Sequence, residues 1–347
     1  MTGTKSNASA SASGWSFQVN AAIILSLKFI KLLEKVRVEG KFEDIEITTE
    51  GGDKIYIQAK SVVTPDDTSN VLSNLKKSLK TLSSAASKHK YNYLILTTNS
   101  SKPFNKKDSY IYFNKNYQFY NINELPNEYI STVRNYLDNL NKAGNDITAF
   151  DVDRFYLHVF SLYGEDYETR YYTVLQTIGD FLNQIGVRYT SKIELLTYWQ
   201  SLFFENSTKK NIEIEMSKEE LVWPIIVLES VISKNESIFE DYVEGDIEDV
   251  LHSYNRLINY QTSRFPLVLR ITADFSEFLV KTGKNRGKTS IITFIDSYYR
   301  QYESEILPIV SETMTMAIRE ILIKVTIMKI LEIENKINTI KSEVNLI

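Results

Sequence analysis

Asp44, Gln58 and Lys60 fall within VEGKFEDIEITTEGGDKIYIQAK, residues 38–60, at a spacing that can gather three chemically useful groups. If residues 45–49 form a strand, side chains alternate across it, and Asp44, Glu46 and Thr48 share one face. If residues 55–60 pair with that strand, Tyr56, Gln58 and Lys60 share a face while Ile55, Ile57 and Ala59 fill the other. A carboxylate, an amide oxygen and an ammonium side by side suit phosphodiester hydrolysis. A hard cation such as Mg2+ (or Mn2+) takes oxygen ligands, and Asp44, Gln58 and the Ala59 carbonyl are the candidate donors. The cation would activate water and neutralise charge on the phosphate. Lys60 would orient the attacking water or stabilise the developing negative charge.

These residues need a frame, and the surrounding pattern predicts one. Residues 2–13 are rich in Ser and Ala and read as a loose tail. From Trp15, apolar residues recur at helical spacing through Leu33, with few polar interruptions, so this helix is expected to be buried. Val36–Glu39, Ile45–Thr49 and Ile55–Lys60 read as strands, with Gly51-Gly52 turning the hairpin. Residues 70–88 read as an amphipathic helix, Tyr91–Thr97 as a strand, and residues 125–142 as helical. Tyr110–Phe113 and Gln118–Tyr120 are weaker strand candidates. After Gly144 the alternation disappears, and an all-helical domain is expected from about residue 146 to 347. Ser191-x-x-Glu194 and Ser217-x-x-Glu220 have capping-box spacing there.

Asp, hairpin, then Gln-x-Lys, after an N-terminal helix, resembles the PD-(D/E)xK restriction-like nuclease pattern. Gly14-Trp15-x-Phe17-Gln18, Val38-Glu39, Glu43-Asp44 and Gln58-x-Lys60 narrow the resemblance. Together they are similar to the double-stranded DNA endonuclease domain of anti-phage effectors, named with the cyclic-nucleotide-activated (CBASS) endonucleases and recurring in Lamassu-type systems. The resemblance covers about residues 12–145. It implies an α/β restriction-endonuclease-like domain, a mixed sheet flanked by helices, over residues 14–145, after a flexible tail at 1–13. It also implies that Asp44 is the metal carboxylate, Gln58 the second metal residue and Lys60 the catalytic lysine. Glu39 or Glu43 becomes an accessory acid, and Gln18 the helix residue facing the site. Gln58 departs from the consensus Glu and removes one negative charge from the metal site.

Charge is unevenly spread. Residues 1–150 hold 19 Lys+Arg against 14 Asp+Glu, whereas the remainder holds 21 against 30, so a net −4 averages two unlike halves. Residues 68–107 carry Lys76, Lys77, Lys80, Lys88, Lys90, Lys102, Lys106 and Lys107 and no acid, which suits sequence-independent phosphate contacts. The chain has no cysteine and three histidines, which excludes thiolate metal sites and a cysteine nucleophile, and makes a zinc site unexpected. No apolar run is long enough for a membrane span, and no apolar signal segment opens the chain, so a cytoplasmic location is expected. Gly283-Lys-Asn-Arg-Gly287-Lys288-Thr289 is one residue short of a phosphate-binding loop and reads as a basic connection between helices. The 22 tyrosines include Tyr110, Tyr112, Tyr117 and Tyr120, which are expected to pack against the sheet.

Ile330, Ile333, Ile337, Ile340, Val344 and Ile347 follow a heptad-like seam, and self-association or partner docking through it is one expectation. The expected function is a metal-dependent double-stranded DNA endonuclease, an effector of a prokaryotic defence complex controlled through its helical C-terminal part. Family analogy adds partners: a homo-oligomer, other defence subunits, or an SMC-like ATPase. A DNA-binding or scaffold protein that no longer cuts is the alternative, and RNA is a further candidate substrate.

Overall fold

Residues that are apolar on every side of a helix must be covered on every side. This is the situation of α1 (Ala8–Lys28), where Ala21, Ala22, Ile23, Ile24 and Leu25 are all fully buried. The computed structural model describes residues 8–187, 191–240, 242–258, 265–307 and 314–346. In it the chain forms two units, Met1–Gln184 with Arg188–Lys218, and Ile185–Val187 with Glu219–Ile347.

The first unit is built on a seven-stranded mixed sheet. Its strands are β1 (Leu33–Val38), β2 (Ile45–Thr49), β3 (Lys54–Lys60), β4 (Tyr91–Thr98), β5 (Tyr117–Asn121), β6 (Phe155–Phe160) and β7 (Met216–Ser217), in the order β5-β6-β4-β3-β2-β1-β7. β3, β4 and β6 run parallel, and the remaining pairings are antiparallel. One face is packed by α1, with α5 (Tyr167–Gln184) and α6 (Lys192–Thr208) against it. The other is packed by α2 (Val71–Ala86) and by α4 (Asn127–Lys142) behind it, with the single turn α3 (Ser109–Tyr112) at the edge. Leu75, Leu79 and Leu82 of α2 meet Tyr56, Leu94 and Leu96 in that second layer.

The hairpin forms as its sequence requires. Gly52 sits at φ 78°, and its N–H donates to the Thr49 carbonyl at 2.7 Å, while Thr49 N–H donates to Asp53 O at 2.9 Å. Glycine accepts that left-handed conformation without a Cβ penalty. At the other edge, the buried Arg37 guanidinium donates to the carbonyls of Asn206, Lys209 (2.8 Å) and Ile214 (3.1 Å). Asn206 Oδ1 accepts the Val38 N–H at 3.1 Å. The end of α6 and the chain leading to β7 are thus fastened onto β1.

Several expectations are corrected. The Ser/Ala stretch is helical from Ala8, because its alanines favour helix and the single Gly14 does not interrupt the continuation into the buried apolar run. The helix ends at Lys28, and Leu33 opens β1 instead of closing the helix. Tyr110–Phe113 contains a helical turn in place of a strand, and Tyr110 is exposed instead of packing on the sheet. The all-helical domain does not start at 146, since FYLHVF at Phe155–Phe160 is β6, between β4 and β5. A strand buried on both faces shows no alternation, which is why its period hid it. Ser191 caps α6 without a side-chain hydrogen bond, so that capping box is not formed.

The second unit is helical: α7 (Lys218–Glu229, its first residue still in the first unit), α8 (Glu244–Ile258), α9 (Phe265–Thr282), α10 (Lys288–Tyr298), α11 (Glu303–Ile306) and α12 (Met316–Glu343). Among the described residues no helix is long and apolar enough to cross a membrane. Ile330, Ile337, Ile340 and Val344 are buried within this chain and Ile333 is half-buried, so the heptad-like seam of α12 is largely covered and is not an open face for a partner. Ile347 lies outside the described residues. Arg286 of the basic connection pairs with Glu334 and donates to Leu331 O, which commits it to holding α12. Replacing Ile337 by Ala should therefore cost about 2–5 kcal/mol of stability. Chemical denaturation should find this loss unchanged across protein concentrations.

Candidate active site

The β2–β3 register places Ile45 opposite Ile57 and Glu46 opposite Tyr56, which carries Asp44 to the position facing Gln58. Asp44 lies just before β2, where the ladder ends, so its carboxylate is free to bind across the gap. Its Oδ2 accepts from Gln58 Nε2 and from the Ala59 N–H at 2.8 Å, and the Lys60 ammonium stands 3.5 Å away. The Asp44 backbone is held as well: its carbonyl accepts Gln18 Nε2 from α1 at 2.8 Å and the Glu39 N–H at 2.8 Å. Asp44, Gln58, Lys60, Ala59 and Gln18 are thus brought together.

The loop before Asp44 is shaped by a residue without a role in the sequence reading. Glu46 is buried, and its Oε1 accepts the N–H groups of Phe42 (2.5 Å) and Glu43 (3.2 Å). A side chain at Gly40 would press on the Glu46 side chain at 2.6 Å and would have to displace it from the loop it holds. Glu46 pairs in the ladder with both Arg37 and Tyr56, and its polarity on a strand face gave the only sequence signal. Glu39 has a positive φ of 55° and an exposed side chain, and it contributes its backbone N–H to the site.

Glu43 is different. Both of its carboxyl oxygens are buried without a hydrogen-bond partner. Thr81 of α2 is close, but its single proton goes to Gln58 Oε1 at 2.6 Å. Burial first, and the neighbouring Asp44 charge second, push the Glu43 carboxyl up to about 8, with Thr81 and Lys60 offsetting part of this. Glu43 therefore stands protonated at neutral pH.

Among the described residues no group of three His, Asp or Glu side chains gathers to hold a metal. A cation here would rest on Asp44 with neutral oxygens from Gln58 and Ala59. In an extended strand a residue's N–H and C=O leave by the same edge, and the Ala59 N–H faces Asp44. The donor set is oxygen only, which suits Mg2+ or Mn2+, and the two orphaned oxygens of Glu43 beside Asp44 are groups that a nearby cation would favour in ionised form. The residues fit such an ion, with Gln58 presenting nitrogen, not oxygen, toward Asp44 as it stands.

The lysines are scattered. Lys76, Lys77 and Lys80 are exposed on α2, and Lys77 lies one helical turn from Thr81. Lys107 and Lys88 are also exposed. Lys90 pairs with Asp53 at 3.0 Å, Lys102 with Asp66 at 3.4 Å and Lys106 with Glu128 at 3.1 Å. The stretch holds no acid of its own, but the fold supplies acids to three of its eight lysines. His158 is fully buried, with Nδ1 2.8 Å from Thr97 Oγ1, and burial lowers its pKa to about 3, so it is a neutral part of the core.

No family model matches the chain, and no curated protein matches it. Solved structures similar to it include a Cap4 SAVED/CARF-domain containing receptor from Moraxella osloensis, at 11% identity over 62% of this chain and 47% of that one, TM-score 0.37. The Acinetobacter baumannii receptor of the same description, with the cyclic trinucleotide 3'3'3'-cAAA, matches at 14% identity over 61% of this chain and 45% of that one, TM-score 0.36. The same receptor with 2'3'3'-cAAA matches at 12% over 69% and 58%, TM-score 0.37. The chain thus spans about half the length of these structures, and the likeness is partial.

The Glu43 burial has a measurable sign. Its folded value of about 8 lies above the unfolded 4.5, so the native state keeps a proton that the unfolded chain loses. Stability should fall as pH rises from about 4.5 to 8, by up to about 1.4 kcal/mol per unit. Glu43→Gln should flatten that slope in urea unfolding at pH 5 and pH 8, gaining on the wild type at the higher pH.

Proposed function

We propose that this chain is a metal-dependent endonuclease that hydrolyses double-stranded DNA as an effector in prokaryotic anti-phage defence. The observation that carries the reading is the meeting of Asp44, Gln58, Ala59 and Lys60 at the end of β3, with Gln18 of α1 behind them. These are the residues that resemble the restriction-like nuclease pattern, and the first unit would be its restriction-endonuclease-like domain. A bound Mg2+ or Mn2+ would supply Lewis acidity to the phosphodiester and its attacking water. Asp44, Gln58 and the Ala59 carbonyl would hold it. Lys60 is half-buried beside Asp44, where its ammonium can orient the water or meet charge developing on the phosphate. Lys76, Lys77 and Lys80 project from α2 to take DNA phosphates without reading sequence.

The defence role, the homo-oligomer and the SMC-like ATPase partner rest on the family resemblance in the sequence. Gln58 in place of a carboxylate removes one negative charge from the metal site, and this is what supports the second reading, a DNA-binding or scaffold protein that does not cut.

Lys60→Ala separates the two. With Mg2+ or Mn2+ and any partner subunits present, wild-type protein should degrade duplex DNA at least about a hundredfold faster than the variant. Equal rates would leave only the binding role. RNA digested as fast as DNA would move the substrate assignment. Replacing Lys76, Lys77 and Lys80 together by Ala should weaken DNA binding and flatten its log–log salt dependence by roughly 2–3.

A further inference from the structure

A carboxylate at position 58 would offer a cation beside Asp44 an oxygen from either end, but an amide has one oxygen and one nitrogen. As Gln58 stands, Nε2 faces Asp44 Oδ2 and Oε1 faces the Thr81 hydroxyl at 2.6 Å. Placing its oxygen toward a cation shared with Asp44 requires the amide to turn over. We infer that Thr81 is the positioning residue that makes this turn favourable and so lets a Gln-bearing site accept a hard divalent cation. The inference rests on the metal-site reading above.

The reason is that a hydroxyl both donates and accepts. Before the turn Thr81 is used once by the site, as a donor to Gln58 Oε1. After the turn it is used twice. Gln58 Nε2 donates to Thr81 Oγ1, and the released hydroxyl proton is free for another acceptor. The Ser78 carbonyl is 3.2 Å away, and the adjacent Glu43 carboxyl has two buried oxygens without a partner. Gln58 is itself buried whereas Thr81 is exposed, so water does not readily replace the bond at the Gln58 amide. Valine has the shape of threonine and neither function. Replacing Thr81 by Val removes one hydrogen bond before the turn and two after it, a net bias of about one bond against the cation-accepting arrangement. With Glu at position 58 no turn is needed, and Thr81 makes the same single bond in both arrangements.

The test uses the full chain and Mn2+ alone, titrated by calorimetry, with thermal unfolding as a check on folding. Thr81→Val should bind Mn2+ about fivefold to tenfold more weakly than wild type. Thr81→Ser keeps the hydroxyl and should restore binding to within about twofold, the margin within which one hydrogen bond has no visible effect. In a Gln58→Glu background, adding Thr81→Val should change Mn2+ affinity by less than about twofold, since no bond is lost differentially. An unchanged affinity in Thr81→Val overturns the inference. An equal loss in both backgrounds also overturns it, because Thr81 would then be only structural. If wild type binds Mn2+ through Asp44, shown by loss in Asp44→Asn, and Thr81→Val does not matter, the inference alone fails. If wild type binds no Mn2+, the metal-site reading fails with it. Should Val disturb α2, Thr81→Ala takes its place and must show a loss in the wild-type background and none in the Gln58→Glu background.

Discussion

The register between β2 and β3 is the constraint on which the site depends. Ile45 faces Ile57 across the ladder, and a slip of one residue would carry one strand's pair, Ile45 with Ile47 or Ile55 with Ile57, out of contact with the layer that buries it. Four fully buried isoleucines therefore enforce a pairing whose chemical consequence appears one residue beyond the strand, where Asp44 meets Gln58. The hairpin turn sets the same register from the other end, through Gly52 and the Thr49–Asp53 bonds. Hydrophobic burial positions a polar cluster that could not stabilise itself.

Around that cluster, polar side chains spend their hydrogen bonds on backbone. Glu46 accepts two N–H groups of the loop before Asp44, Gln18 donates to the Asp44 carbonyl, and Arg37 donates to three carbonyls near the end of α6. Buried polar groups are tolerable when such bonds replace the lost water. Glu43 has no such bonds, and burial drives it to hold its proton instead. The two neighbouring acids thus stand in contrast: Asp44 accepts from Gln58 and the Ala59 N–H beside Lys60, whereas neither carboxyl oxygen of Glu43 has a hydrogen-bond partner. Separation of two carboxyl groups by environment is a common arrangement at sites that handle protons and cations.

The electrostatic surface is less one-sided than the sequence suggested. Asp53, Asp66 and Glu128 come from outside the acid-free stretch and meet Lys90, Lys102 and Lys106. Exposed pairs of this kind contribute little to stability, but they lower the local positive potential. The lysines of α2 lie on its exposed side, beside the helix face that carries Thr81 toward Gln58.

The sequence by itself determined the hairpin, the burial of α1, and the identity of the polar triad. Period-2 alternation, a glycine turn and an all-apolar helix are local signals, readable without knowing what packs against them. It did not determine β6, because FYLHVF is covered on both faces and carries no alternation, and so the helical part was placed too early. It did not show that the Ile330–Val344 seam was already occupied, since heptad spacing is the same whether the covering surface is in the chain or in a partner. The roles of Thr81, Glu46 and Arg37 were likewise invisible, each depending on contacts between elements far apart in the sequence. Only tertiary packing decided that Glu43 is buried without donors while the half-buried Asp44 finds them, and that difference separates two adjacent residues of nearly identical chemistry.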